Sequence, residues 1–280
     1  MSDEVYEQVF QVPSSARLEV NNIRGSVDIR TGSDGIITVK AVKQVNTGNA
    51  DRTEVEIKQE SDGTVKASTR FPDVTFGWLF GARPCEVDYT ITAPRACSIK
   101  SNGVSNDLIA EGFEGDASFK TVSGDMIVRA LNGAVSLSSV SGEMELADLT
   151  GSLRLTTVSG DVKGVHLSGT ASLNSVSGDV DFVQSSLPSV EATTVSGEMK
   201  LETGLGAGPY KFNSVSGDLT LKVPADTRYS AELQTVSGDI STKLPATSVS
   251  RHNGTQMVEV QGGGVKVTLH SVSGDMELKS

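Results

Sequence analysis

The sequence predicts an all-β protein: a parallel β-solenoid (a β-helix or β-roll) with coils of about 18 residues, preceded by an N-terminal β cap. Three observations predict it. First, Val-Ser-Gly-Asp/Glu recurs with its glycine at Gly124, Gly142, Gly160, Gly178, Gly197, Gly217, Gly238 and Gly274, in steps of 18, 18, 18, 19, 20, 21 and 36. A fixed period of this kind marks a repeat architecture. Second, Gly133, Gly151 and Gly169 fall midway, so each coil holds two nine-residue halves. Third, the residues after each glycine alternate polar and apolar, as in Glu143-Met144-Glu145-Leu146 and Asp218-Leu219-Thr220-Leu221. Period-2 alternation marks a strand with one buried face. No long segment shows the i, i+3, i+4 apolar spacing of a helix.

Along the chain, residues 1–92 lack the repeat signature but still read as strands. Leu18-Glu19-Val20, Ser26-Val27-Asp28-Ile29, Ile37-Thr38-Val39 and Glu54-Val55-Glu56-Ile57 all alternate, and Asn22 to Ile29 resembles a half-repeat. This third is expected to form the cap, continuous with the solenoid or packed on its open end, where it would blunt a reactive sheet edge. Residues 93–280 form the solenoid, opening with a weak copy at Val104-Ser105-Asn106-Asp107. Each nine-residue half supplies a short strand and a corner, and glycine gives the corner its backbone freedom. Stacked coils pair in parallel at about 4.8 Å. Val122, Met126, Val128, Leu131, Val135 and Leu137 are expected inside one coil. The half-period favours a flattened, two-sided coil over a three-sided one, and a right-handed coil is favoured. The 36-residue step is read as two coils with one degenerate copy between them. The last coil reaches Ser280 without an evident cap, which motivates head-to-tail self-association.

Composition bounds the partners. Lys plus Arg is 24 against 35 Asp plus Glu, a net charge of −11. Such a chain is repelled by nucleic acid and by anionic membranes. No stretch has the roughly 20 apolar residues of a membrane span. The acidic start, Met1 to Glu7, lacks the basic and apolar regions of a signal peptide. The chain as it stands therefore reads as cytoplasmic; a trimmed form of an envelope-associated or exported protein would read the same. The two cysteines, Cys85 and Cys97, are read as free thiols in preference to one bridge.

Stacking would turn each repeat position into a ladder. The residue after glycine gives Asp125, Glu143, Asp161, Asp179, Glu198, Asp218, Asp239 and Asp275. Like charges about 4.8 Å apart repel, so the ladder must be hydrated, bonded to backbone or neutralised by cations. Calcium, which takes oxygen ligands, is the cation considered. A solvated turn in which the Asp oxygen bonds local backbone is favoured over it. No other cofactor is expected. Serine always precedes the glycine, and Thr or Ser stands three before it; with Val inward, both columns would face out as a hydroxyl grid for a glycan or protein surface. Bonding between coils is the simpler use of these hydroxyls, and ice is disfavoured because one column is all Ser. Phe76, Trp78 and Phe80 concentrate the aromatics, either as a docking loop or as cover for an apolar end.

A carbohydrate-active lyase or hydrolase on a β-helix is the alternative function. Glycosidases need two carboxylates, but here the acids are generated by the repeat. His166, His252 and His270 lack metal-ligand spacing, and no nucleophile, zinc or phosphate-loop motif occurs. The reading is therefore a non-enzymatic scaffold or binding module.

The recurring Thr-Val-Ser-Gly-Asp unit, the opening Leu18-Glu19-Val20-Asn21-Asn22-Ile23-Arg24-Gly25-Ser26-Val27 and the closing Ser271-Val272-Ser273-Gly274-Asp275 resemble the bacterial β-strand-repeat "putative adhesin" family, a domain of unknown function related to the head GIN adhesin domain. The resemblance covers nearly the whole chain. It implies a β-solenoid, often linked to the cell envelope, with no catalytic residues to carry over.

Overall fold

The computed structural model describes residues 2–13, 15–72, 83–243, 246–252 and 254–280. Among them the regular structure is all strand apart from two short 3-10 turns, Val45–Thr47 and Ala50–Arg52. The chain packs as two compact units, Met1–Gly142 and Glu143–Ser280.

In the first unit the strand Arg17–Thr31 lies parallel to Ser98–Glu111, pairing Leu18 with Ile99, Gly25 with Asn106 and Val27 with Leu108. The half-repeat at Asn22 to Ile29 is thus a true partner of the weak copy at Val104. Ser98–Glu111 pairs in turn with Ala117–Ser123 and Met126–Arg129, and Ala117–Ser123 with Val135–Ser141. The outer side of Arg17–Thr31 takes Val65–Arg70 and Glu86–Ala93 in parallel. Beyond these the direction reverses. Glu54–Gln59 runs antiparallel to Val65–Arg70, Ile36–Gln44 antiparallel to Glu86–Ala93, and Glu4–Gln11 antiparallel to Ile36–Gln44. A buried polar knot fixes this region. Asn22 donates to the Val87 carbonyl at 2.8 Å and accepts from Thr69 at 3.0 Å, and Thr69 meets the Tyr89 hydroxyl at 2.9 Å. Each buried polar group thereby finds a partner, as burial demands. Lys43, also buried, donates to the Ala50 and Thr53 carbonyls and pairs with Glu4 at 2.8 Å, which pins the second 3-10 turn.

In the second unit two series of parallel strands stack in register. One runs Leu153–Ser159, Ser168–Ser177, Val180–Ser196 and Tyr210–Ser216. The other runs Met144–Ala147, Val162–Val165, the start of Val180–Ser196, Met199–Leu205 and Leu219–Lys222. Leu155, Leu173, Phe182, Ala192, Leu201, Phe212 and Leu221 fill the interior.

The next partners depart from chain order. Tyr210–Ser216 pairs with Val265–Ser273, which pairs with Tyr229–Ser237. Met276–Lys279 likewise lies between Leu219–Lys222 and Ile240–Lys243. The last repeat in sequence is therefore an interior repeat in space. This corrects two expectations. The 36-residue step holds no degenerate coil. Its middle is an antiparallel hairpin, Ala246–His252 with Thr255–Val260, whose second strand runs antiparallel to Tyr229–Ser237. Nor is the C-terminal repeat an open end for head-to-tail stacking, because it has a strand on both sides. The hairpin covers the outer edge of Tyr229–Ser237, one of the ways in which sheets protect edges.

The inserted repeat carries the unit's clearest acid-sensitive contact. Glu277 accepts from Lys243 and Lys279, each at 2.7 Å. These two hydrogen bonds pull its carboxyl from 4.5 down to about 2. A lowered folded-state value means stability that is present above the unfolded value and is lost as pH falls through the folded one. Screening at this partly exposed site reduces the effect to about 1 kcal/mol. Urea melts should show a loss between pH ~4.5 and ~2 that Glu277→Gln diminishes; an unchanged slope in that variant would count against the assignment.

Candidate functional site

The Val-Ser-Gly-Asp corner is the recurring exposed feature of both units. Its strand Leu153–Ser159 alternates buried and exposed through Thr157, and then Val158 and Ser159 both face out. The same pattern holds at Val135–Ser141 and Tyr210–Ser216. The expected hydroxyl grid is half wrong. Thr121, Ser139, Thr157, Ser175, Thr194, Ser214 and Ser271 are buried, whereas Val122, Val140, Val158, Val176, Val195, Val215 and Val272 are exposed. Val122 accordingly does not line the interior, although Met126, Val128, Leu131, Val135 and Leu137 do. The cause is strand phase. Leu153 and Leu155 point inward, so Thr157 must follow and Val158 must point out. That signal lay in the upstream Leu-x-Leu-x-Thr spacing. At some corners the inward hydroxyl satisfies a local acceptor: Ser214 donates to the Gly217 carbonyl at 2.9 Å and Thr121 to the Ser123 carbonyl at 3.2 Å, while the Ser139, Thr157 and Ser271 hydroxyls are buried without a protein partner. The serine column before the glycines does face outward.

At several corners the carboxylate of one repeat accepts the backbone N–H of the corner acid in the adjoining one. Asp107 Oδ1 accepts the backbone N–H of Asp125 at 3.0 Å. In the second unit Asp161 accepts from Asp179 at 2.9 Å, Asp179 from Glu198 at 2.7 Å, Asp218 from Asp275 at 2.8 Å, and Asp275 from Asp239 at 2.8 Å. The carboxylates thus bond the stack itself, from one repeat to the next. Asp116, at the opposite corner, does the same for the Ala134 N–H at 3.0 Å. Lysine supplies counter-charge: Lys200 donates to Glu198 at 2.6 Å, which raises the lysine's pKa. Asp161, Asp179, Asp181 and Glu198 line a small cleft of about 160 Å³ with Lys163 and Lys200. Among the described residues no three or more His, Cys, Asp or Glu side chains stand close enough together to hold a metal ion.

A prediction separates the bonding role from a cation role. Asp179→Asn keeps an acceptor oxygen and should retain stability, while Asp179→Ala should lose about 1–2 kcal/mol by stranding the Glu198 N–H. Equal losses in both variants, together with calcium stabilising the wild type alone, would make the ladder a cation site.

Sequence reasoning missed two concavities, because each is lined by residues far apart in the chain that only the folded strands bring together. One, of about 410 Å³, lies between the Tyr229–Ser237 corner and the hairpin, with Asp239, Arg251, His252 and Gln256 in its wall. The other, of about 440 Å³, runs across Leu18, Ile99 and Ala117 in the first unit. His166 sits between Asp148 and Gln184, 3.1 Å from each, in a column of exposed corner residues. Cys85 and Cys97 are buried free thiols, and burial pushes Cys97 up to about 12. Phe76, Trp78 and Phe80 lie outside the described residues.

A family model described as Toastrack DUF4097 matches residues 15–279. The chain belongs to the Toastrack family. Its parallel strands, repeated corner and all-β composition are therefore those of a Toastrack protein, in keeping with the resemblance carried by the Thr-Val-Ser-Gly-Asp unit. No curated protein matches this Toastrack chain. Solved structures similar to it include a "putative adhesin" from Bacteroides fragilis, 14% identical over 98% of this chain and 97% of that one, with a TM-score of 0.48. A "putative adhesin" from Parabacteroides merdae is 10% identical over 99% and 96%, with a TM-score of 0.46. A "putative lipid binding protein" from Parabacteroides distasonis is 12% identical over 99% and 96%, with a TM-score of 0.45. No helix among the described residues is long and apolar enough to cross a membrane.

Proposed function

We propose that this Toastrack chain is a non-enzymatic, adhesin-like scaffold: a right-handed β-solenoid with coils of about 18 residues, capped by residues 1–92, whose corner ladders engage a protein or glycan surface. The observation that carries the reading is the corner itself. It repeats an outward serine beside an acid at the strand spacing of about 4.8 Å, and the acid is held in place by the backbone of the adjoining repeat. A binding face of this kind gains by multivalency, because many weak identical contacts act together. The acids Asp161, Asp179, Glu198 and Asp218 supply negative charge along the corner, which suits a partner with spaced cationic or hydroxyl groups. An envelope-associated site of action fits this reading.

The test is binding of fluorescent protein to intact bacterial cells and to a glycan array, compared with Ser177→Arg/Ser196→Arg/Ser216→Arg, which blocks the corner column. Saturable binding reduced at least about tenfold in the variant is expected, since multivalent contacts fail together. Absence of saturable binding, or equal binding by the variant, would overturn the reading.

A further inference from the structure

Beside the corner, the second unit carries a flat apolar strip that no part of the chain covers among the described residues. Val158, Val176, Val195, Val215, Val272 and Val236 form it, in that spatial order, and each is 43 to 81% exposed. Their strands pair in register, with Thr157 opposite Ser175, Ser175 opposite Thr194, Thr194 opposite Ser214, Ser214 opposite Ser271, and Ser271 opposite Thr235. Two residues upstream on the same face stand the uncharged Thr156, Asn174, Thr193 and Asn213, all exposed. His270 and Gln234 complete that column, and charge flanks the strip on both sides: the corner acids Asp161, Asp179, Glu198, Asp218, Asp275 and Asp239 follow three residues on, and Arg154, Glu191 and Lys211 stand four residues before the valines, Lys211 pairing with Glu191 at 3.5 Å.

We infer that this valine strip is a homotypic interface, on which a second copy of the chain packs sheet against sheet. Three arguments select a second copy. A copy presents valines at the same repeat, so the two columns can interdigitate along their whole length, as identical side chains do in dry sheet-to-sheet contacts. The valine column is uncharged in a chain of net charge −11, so in a contact centred on it the corner acids lie at the solvated rim instead of inside the contact. The area also suffices. Six strands at about 4.8 Å make a strip roughly 29 Å long, and two such strips with their flanking polar columns bury on the order of 1,200 Å², the lower bound of a stable interface. Valine loses little side-chain entropy when it is fixed there. A two-fold axis across the strip gives a closed dimer. The inference does not rest on the adhesin reading, because it needs no outside ligand.

Sedimentation velocity on the full chain, from about 5 to about 200 μM, tests it. Wild type is expected to pass from monomer to dimer in that range and to keep the dimer at high salt, while Val176→Lys/Val195→Lys stays monomeric with an unchanged melting temperature. A wild type that is monomeric throughout would overturn the inference, as would a dimer that the lysine pair leaves intact. Should the lysine pair melt early, Val195→Cys decides. Oxidation yields a covalent dimer if the strip is the interface and none if it is not, since both native thiols are buried.

Discussion

Gly197→Ala is expected to destabilise the second unit by about 3–5 kcal/mol and to lower its melting temperature by on the order of 10 °C. Two effects combine. Gly197 has φ +121°, a backbone conformation that side-chain-bearing residues rarely adopt. A Cβ there would also fall on the carbonyl oxygen of Gly178, the equivalent glycine one repeat away. Gly178 faces the Gly160 carbonyl, and Gly217 the Gly197 carbonyl, in the same manner. The corner glycine is thus required twice: by its own dihedral at several corners, and at each of these three by the close approach of the adjacent backbone. Gly204→Ala is the control. It lies in a strand with open space where its Cβ would be and should change stability by less than about 1 kcal/mol. Urea denaturation of both variants checks the pair. Equal midpoints would show that the corners relax freely and that the repeat glycine is not fixed by stacking.

Removing residues 265–280 is expected to collapse the neighbouring repeats as well as shorten the chain. Val267, Leu269, Met276 and Leu278 are at most 1% exposed. Their burial contributes roughly 8 kcal/mol at about 2 kcal/mol each, comparable with the whole stability of a domain. The strand Val265–Ser273 also bonds Tyr210–Ser216 on one side and Tyr229–Ser237 on the other. Its loss would bare two sheet edges that lie inside the stack, and bare edges aggregate. Limited proteolysis should cut the truncated protein between residues 210 and 264, where the intact chain resists. A truncated chain that keeps the wild-type urea midpoint would mean that Tyr229–Ser237 and its hairpin re-dock directly on Tyr210–Ser216.

The sequence by itself determined the strand class, the residue register between parallel repeats and the spacing of the corners. These follow from local rules: period-2 alternation, a glycine wherever the backbone must turn, and a repeat that places like residues beside like. That the acids accept backbone N–H was legible in part, since an Asp oxygen beside a turn is a natural acceptor; the expectation was a local bond, and the N–H in fact belongs to the adjoining repeat. The misreading of Val158 and Thr157 came from weighing each residue's hydrophobicity above strand phase. Two inward leucines fix the phase, and one buried hydroxyl does not shift it. The interior position of the last repeat could not be read from the chain. Its Val-Ser-Gly-Asp motif is the same as the others, so the motif says which residues pair but not which copy pairs with which. Only the tertiary structure decided that order. The hairpin at Ala246–Val260 occupies the outer edge of Tyr229–Ser237, and the edge left beside Tyr210–Ser216 is filled by the one repeat still to come. The exposed valine strip follows from the same cause, because only in-register stacking turns single surface valines into a continuous face.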